Sequence, residues 1–192
     1  MQLSSSSSSF VDRIIGAIRL DPATYEEVQR DKQATWQALA VVAIASVLTG
    51  IGSSQGRGDG LVGGIVSAVL LWAIFALFAY VVGTRLLPSP ATSASFEEVL
   101  RALGFSYAPA FFGILGLVPG VGSLLLFIAS VWSLVAGITA LRQSLEVSTG
   151  RAIAIGVVAA IIMLLITIVI ALVLGFSLFA ISGVVPQPAP AS

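Results

Sequence analysis

Five stretches of this chain are long, apolar and almost free of charge, and a water-soluble fold cannot hide all five. They run over about residues 36–51, 61–87, 103–118, 121–141 and 152–181. Apart from Arg85, near the end of the second, none contains Lys, Arg, Asp or Glu. Only 9% of the 192 residues are charged and 57% are apolar, whereas a soluble domain carries about 25% charged residues to cover its surface. The medium around this chain is therefore lipid. A helix rises about 1.5 Å per residue, so roughly 20 residues cross a hydrocarbon core about 30 Å thick. The second, fourth and fifth stretches reach that length alone, and the first and third reach it when extended on their N-terminal sides.

The fold class expected is an all-α integral membrane protein: a five-transmembrane-helix bundle with an N-terminal amphipathic interfacial helix. The helices are placed at about 34–51, 61–87, 99–118, 121–143 and 151–182 within a membrane domain of residues 34–185. Residues 1–9, ending in the serine run Ser4 to Ser9, read as a disordered leader, and residues 186–192 as a disordered extracytoplasmic tail. Residues 10–33 form an amphipathic segment on the cytoplasmic side. Its first part sets Phe10, Val11, Ile14, Ile15 and Ile18 on one helical face and Asp12, Arg13 and Arg19 opposite, a pattern suited to the membrane interface. Asp21-Pro22 ends it. The connections carry turn residues: the glycine-rich stretch 52–60, residues 88–95, the tight turn Pro119-Gly120-Val121-Gly122, and residues 145–150.

Charge orients the bundle. Arg13, Arg19, Arg30, Lys32, Arg85, Arg101, Arg142 and Arg151 fall on one side of an alternating topology, and only Arg57 on the other. Basic residues accumulate on the cytoplasmic side. The expectation is a multi-pass membrane protein, N-terminus cytoplasmic and C-terminus extracytoplasmic. Eight of the nine acidic residues share the basic side, all but Asp59. That face is therefore rich in charge yet nearly neutral, unlike a polybasic lipid-binding patch.

The chemistry available is narrow. Without cysteine or histidine, the chain lacks thiolate nucleophiles, the commonest transition-metal ligand and the commonest general base. Paired intramembrane aspartates and a phosphate-cradling Walker sequence are also missing. The expectation is no catalytic residue, no metal, no cofactor and no nucleic acid, and therefore no enzyme. The Arg57-Gly58-Asp59 triplet is too short to imply adhesion. Trp72 and Trp132 fall near the middle of their helices, where they are expected to pack within the bundle.

An internal echo points to the charged face. Ala23-Thr24-Tyr25-Glu26-Glu27-Val28-Gln29-Arg30 parallels Ala94-Ser95-Phe96-Glu97-Glu98-Val99-Leu100-Arg101, identical at five of eight positions. Both precede a short membrane stretch, and Thr24 with Glu27, and Ser95 with Glu98, each fit a reciprocal N-terminal cap. Tyr25, Glu26, Glu27, Arg30, Phe96, Glu97, Glu98 and Arg101 are the candidate interaction surface. Pro109, Pro119 and Gly120 are the candidate hinge.

The whole pattern resembles the Yip family, the Ypt/Rab-interacting membrane proteins. The resemblance rests on five closely spaced helices, the acidic-aromatic segment before the first, and Gly104-Phe105-Ser106-Tyr107-Ala108-Pro109 entering the third. The turn Leu117-Val118-Pro119-Gly120-Val121-Gly122 and, faintly, Leu20-Asp21-Pro22 add to it. It implies that eukaryotic members bind Rab-type GTPases through cytoplasmic regions in early secretory trafficking. This chain is more similar to short prokaryotic members, which implies a prokaryotic cytoplasmic membrane. The function expected is scaffolding or recruitment of a protein partner at the cytoplasmic face, with membrane lipids and a homo-oligomer as further partners. The alternative is a passive channel, small-solute transporter or lipid-moving protein working around Pro109 and Pro119.

Overall fold

The computed structural model describes residues 8–53 and 61–184, with side chains as far as Leu174 in the last helix. The first part of the serine leader, the Arg57-Gly58-Asp59 triplet and the tail 186–192 lie outside the described residues. Among those described are seven α-helices: α1 (Phe10–Ile18), α2 (Pro22–Arg30), α3 (Ala34–Ser53), α4 (Leu61–Val81), α5 (Phe96–Phe105), α6 (Gly122–Ser144) and α7 (Thr149–Val184). A π-helical turn, Val82–Leu86, extends α4, and a 3₁₀ segment, Ala108–Leu117, follows α5.

Five spans are long and apolar enough to cross a membrane: Ala34–Ser53, Leu61–Leu86, Phe96–Leu117, Gly122–Ser144 and Thr149–Leu174. Their exposed surface is apolar, as lipid requires: Val62, Leu70, Phe127, Leu134, Leu164 and Val169 all lie open on it. The core is built instead from small residues. Ala38, Ala76, Ala79, Ala102, Ala140 and Ala159 are buried where helices meet, letting backbones approach closely.

The third span departs from a single kinked α-helix over 99–118. Pro109 lacks the N–H that an α-turn would use, and the chain tightens into a narrower 3₁₀ run. That run lies along α3, where Thr49 Oγ1 donates to the Ala110 carbonyl at 3.3 Å. A Cβ on Gly52 would collide with the Gly113 carbonyl oxygen, so this seam needs glycine. Pro119 leads into a turn in which Gly120 takes φ +82°, a left-handed conformation that suits glycine.

The N-terminal segment differs from an isolated interfacial helix. It is a hairpin of two helices folded onto the bundle. Ser9 caps α1, accepting from the Asp12 N–H at 3.2 Å, so Ser8 and Ser9 belong to the fold rather than to a leader. The α1–α2 turn closes with bonds from Leu20 N–H to the Ala17 carbonyl and from Asp21 N–H to the Gly16 carbonyl. This is a Schellman arrangement with Leu20 in the left-handed position at φ 60°. Trp132 of α6 donates its indole N–H to the Ile18 carbonyl at 2.9 Å and stacks on Phe112, ring centroids 5.7 Å apart. The tip of the hairpin thus reaches the middle of α6. The buried face of α1 is Phe10, Arg13, Ile14, Ala17 and Ile18, while Val11 and Ile15 stay exposed.

Candidate functional site

Most charged groups gather at one end of the bundle, where α3 and α5 begin, α6 ends and α7 begins, while Arg19 and Asp21 sit at the hairpin tip beside the middle of α6. The connections meet there: Thr92 Oγ1 donates to the Leu145 carbonyl at 2.8 Å and Ser89 Oγ to the Glu146 carbonyl at 3.1 Å. The opposite end holds the Gly52, Gly113 and Gly116 seam.

At the charged end sits a buried ion cluster centred on Arg13, only 2% exposed. Its Nη2 lies 2.9 Å from Glu27 Oε1 and 2.7 Å from Asp31 Oδ2. Nε donates to Glu27 at 3.1 Å, and Nη1 to Gln37 Oε1 of α3 at 2.8 Å. Ser8 Oγ completes the shell of Glu27 at 2.7 Å. One guanidinium therefore ties α1, α2 and α3 together. Burial alone would lower the Arg13 pKa, but the hydrogen bonds and charges of Glu27 and Asp31 outweigh it and raise it. Burial opposes ionisation of Glu27, yet Ser8 and Arg13 hold its carboxyl below the usual range. The Gln33 N–H, then Arg13 against the cost of burial, do the same for Asp31.

Beside it, Arg101 of α5 is 5% exposed. Its Nε donates to the Gln29 carbonyl at 3.1 Å, its Nη2 to the same oxygen, and its Nη1 reaches Thr35 Oγ1 at 3.4 Å. Gln29 lies in the last turn of α2, so a cation satisfies a carbonyl that the helix end leaves open.

The predicted surface residues divide. Tyr25 and Arg101 are buried and present nothing to a partner: apolar packing encloses Tyr25 on all sides, and its hydroxyl donates to the Ala17 carbonyl at 3.2 Å. Burial pushes the Tyr25 phenol up in pKa. Glu27 is occupied by Arg13. Glu98 caps its own helix, accepting from the Ser95 N–H at 2.7 Å while the Glu98 N–H donates to Ser95 Oγ at 3.4 Å. Phe96 is half-buried, edge-on to Tyr80 at 6.2 Å. Glu26, Arg30 and Glu97 remain outward, with Arg30 only loosely paired to Glu26 at 3.9 Å. The reciprocal cap expected between Thr24 and Glu27 does not form. Helix α2 starts two residues earlier, capped by Asp21, whose carboxylate accepts from the Ala23 N–H at 3.1 Å.

Of the candidate hinge, Pro109 is buried at the start of the 3₁₀ segment, while Pro119 and Gly120 lie exposed in the turn before α6. Asp31 and Gln37 are not singled out by the sequence pattern, Trp132 reaches the hairpin rather than only packing among the membrane helices, and Arg13, expected opposite the apolar face of α1, lies on its buried face. A signal for Arg13 existed: it shares the i, i+3, i+4, i+7, i+8 stripe of Phe10, Ile14, Ala17 and Ile18.

Comparison with known proteins decides the family. The Yip1 domain model matches residues 15–171, from within α1 to within α7 and well over half of the chain. The chain belongs to the Yip1-domain family. No curated protein and no solved structure matches it. Arg13 lies just before the matched residues, and its partners Glu27, Asp31 and Gln37 lie within them. The cluster therefore fastens the start of the chain to the Yip1 domain.

Proposed function

We propose that this Yip1-domain protein is a non-enzymatic membrane scaffold. Its charged end faces the cytoplasm and holds a protein partner through Glu26, Arg30 and Glu97, with Phe96 beside them. One observation carries the reading. The α1–α2 hairpin is fixed to the bundle by the buried Arg13 and Arg101 contacts, while these three charges on α2 and α5 point outward, Glu26 and Arg30 held to each other only loosely. A rigid platform with free charges of both signs suits selective docking, since charge complementarity sets partner choice and encounter rate.

The test is charge reversal, Glu26→Lys with Glu97→Lys, in native membranes, followed by cross-linking and identification of captured proteins. Loss of a partner that the wild type captures supports the reading. An unchanged partner set, at unchanged expression, overturns it. Accessibility of an N-terminal tag in sealed cells reports the orientation separately.

A passive channel, small-solute transporter or lipid-moving protein is the second reading. The observation favouring it is an apolar cavity among α4, α5, α6 and α7. Flux or scrambling by the purified protein in liposomes, abolished by Pro109→Ala, would place the activity there.

A further inference from the structure

The cavity among α4, α5, α6 and α7 has a volume of about 500 Å³, within the range of roughly 300–1,000 Å³ usual for small-molecule sites. Its walls are almost wholly apolar: Phe75 of α4, Leu103 of α5, Ile138 and Leu141 of α6, and Ala160 of α7. It is not sealed. Leu134, Ile153 and Val157 line it and are themselves exposed on the outer face of α6 and α7. That face lies within two membrane-crossing spans, so the molecules able to enter sideways are lipids.

Two polar features give the cavity a direction. Ser133 Oγ, toward the deep end of its α6 wall, is buried and among the described residues has no hydrogen-bond partner. The neighbouring Ser106 hydroxyl is already committed to the Leu103 carbonyl at 2.7 Å. At the charged end, Arg142 follows the lining residue Leu141 and stands four residues beyond Ile138, so it continues the cavity face of α6 by one turn. It is half-buried, and among the described residues its guanidinium has no ion pair and no hydrogen bond.

We propose that the cavity holds one acyl chain of a membrane phospholipid. The anionic phosphate pairs with Arg142, and the chain runs along Leu141 and Ile138 toward Ser133. The sequence of surfaces, a cation at the charged end and then an apolar chamber open to the bilayer, matches a phospholipid read from headgroup to chain. Occupancy requires no transport and no protein partner. The Glu26 and Glu97 substitutions leave the cavity untouched, so either proposal can fail alone.

The glycines of the wall supply the test. A Cβ on Gly137 would meet only Ser106 Oγ at 3.8 Å, and one on Gly156 only Leu141 Cδ1 at 3.5 Å. Larger side chains there grow into the cavity without striking backbone. The full chain is reconstituted in nanodiscs of phosphatidylcholine and phosphatidylglycerol, each in turn carrying a photoreactive acyl chain, and labelled peptides are mapped. The wild type should be labelled on the cavity faces of α6 and α7, phosphatidylglycerol above phosphatidylcholine. Gly137→Leu with Gly156→Leu should cut that labelling about tenfold, the change produced by losing contacts with about two methylenes. Arg142→Gln, which leaves the chamber intact, should bring the two lipids to equal labelling. It serves as the independent arm should the filled variant fail to fold. Equal labelling of filled and wild-type protein, confined to outer-face residues, would mean annular lipid only and overturn the proposal. Cross-links from the cavity to a second copy of the chain would overturn it as well.

Discussion

Residues 23–30 and 94–101 share most of their sequence and use it in opposite ways. In the first, the aromatic Tyr25 is fully buried and Arg30 is open to solvent; in the second, Phe96 is half-buried and Arg101 is enclosed. Glu27 binds the Arg13 guanidinium of another helix, whereas Glu98 folds back on Ser95 within its own. The two segments also meet, since Arg101 of one donates to the Gln29 carbonyl of the other. The difference teaches that a local motif sets helix starts and charge placement, while the neighbours decide which of its side chains are spent on the fold. What the first segment keeps for the outside is Glu26 and Arg30; what the second keeps is Glu97.

The largest asymmetry is between the aromatics. Tyr25→Ala empties a fully enclosed site and should destabilise the protein by about 3–5 kcal/mol, the range for large aromatic truncations. Phe96→Ala removes a half-exposed ring and one edge contact and should cost about 1–2 kcal/mol. Unfolding midpoints in detergent would rank them. Equal losses would dissolve the contrast.

The arginines should differ in the reverse direction. Arg101→Met leaves the Gln29 carbonyl without its donor in a buried place, at a cost of about 1–3 kcal/mol. Arg30→Met removes a solvent-exposed, loosely held pair and should stay within about 0.5 kcal/mol. A double substitution of Arg101 and Gln29 does not test this, because the acceptor is backbone. The single variants, compared by the same unfolding midpoints, do.

The sequence showed the spans because the absence of charge over about 20 residues is a property of each stretch by itself. The echo and the Asp21-Pro22 boundary were visible for the same reason: each is local. The partners of Arg13 were not, because they come from 14 and 24 residues away, and the stripe that places Arg13 among apolar residues could not be trusted without them, since burying a cation is tolerable only once they arrive. The start of α2 is intermediate. Asp21-Pro22 reads equally as the end of one helix and as the cap and first position of the next, and only the fold shows that it is both. The 3₁₀ segment could not be told from α-helix by hydropathy, which is blind to the hydrogen-bond pattern; Pro109 and the glycines facing Gly52 were its only trace.

The smallest predicted effect separates the two segments by acid. Glu27 and Asp31 have pKa values lowered by folding from ordinary values of 4.5 and 3.8. Carboxylates with lowered folded pKa values contribute stability that is fully present above the unfolded values and disappears as pH falls through the folded ones. Their contribution should therefore be complete at neutral pH, begin to fade near pH 4, and be lost below it. Both carboxylates are about one-third exposed, at 34% and 30% of side-chain surface, so solvent screening keeps the effect modest. Protonation strips Arg13 of its counter-charges while leaving it buried, which loosens α1 from α2. The α2–α5 contact between Gln29 and Arg101 uses a carbonyl acceptor that does not titrate and should persist. Hydrogen exchange followed from pH 7 to pH 3, corrected for the intrinsic rate, should lose protection first in residues 10–18 and later in residues 96–105. Simultaneous loss in both would show that the Arg13 cluster and the Arg101 contact open as one unit. Glu27→Gln, which mimics the protonated state at that position, should reproduce the early loss at pH 7.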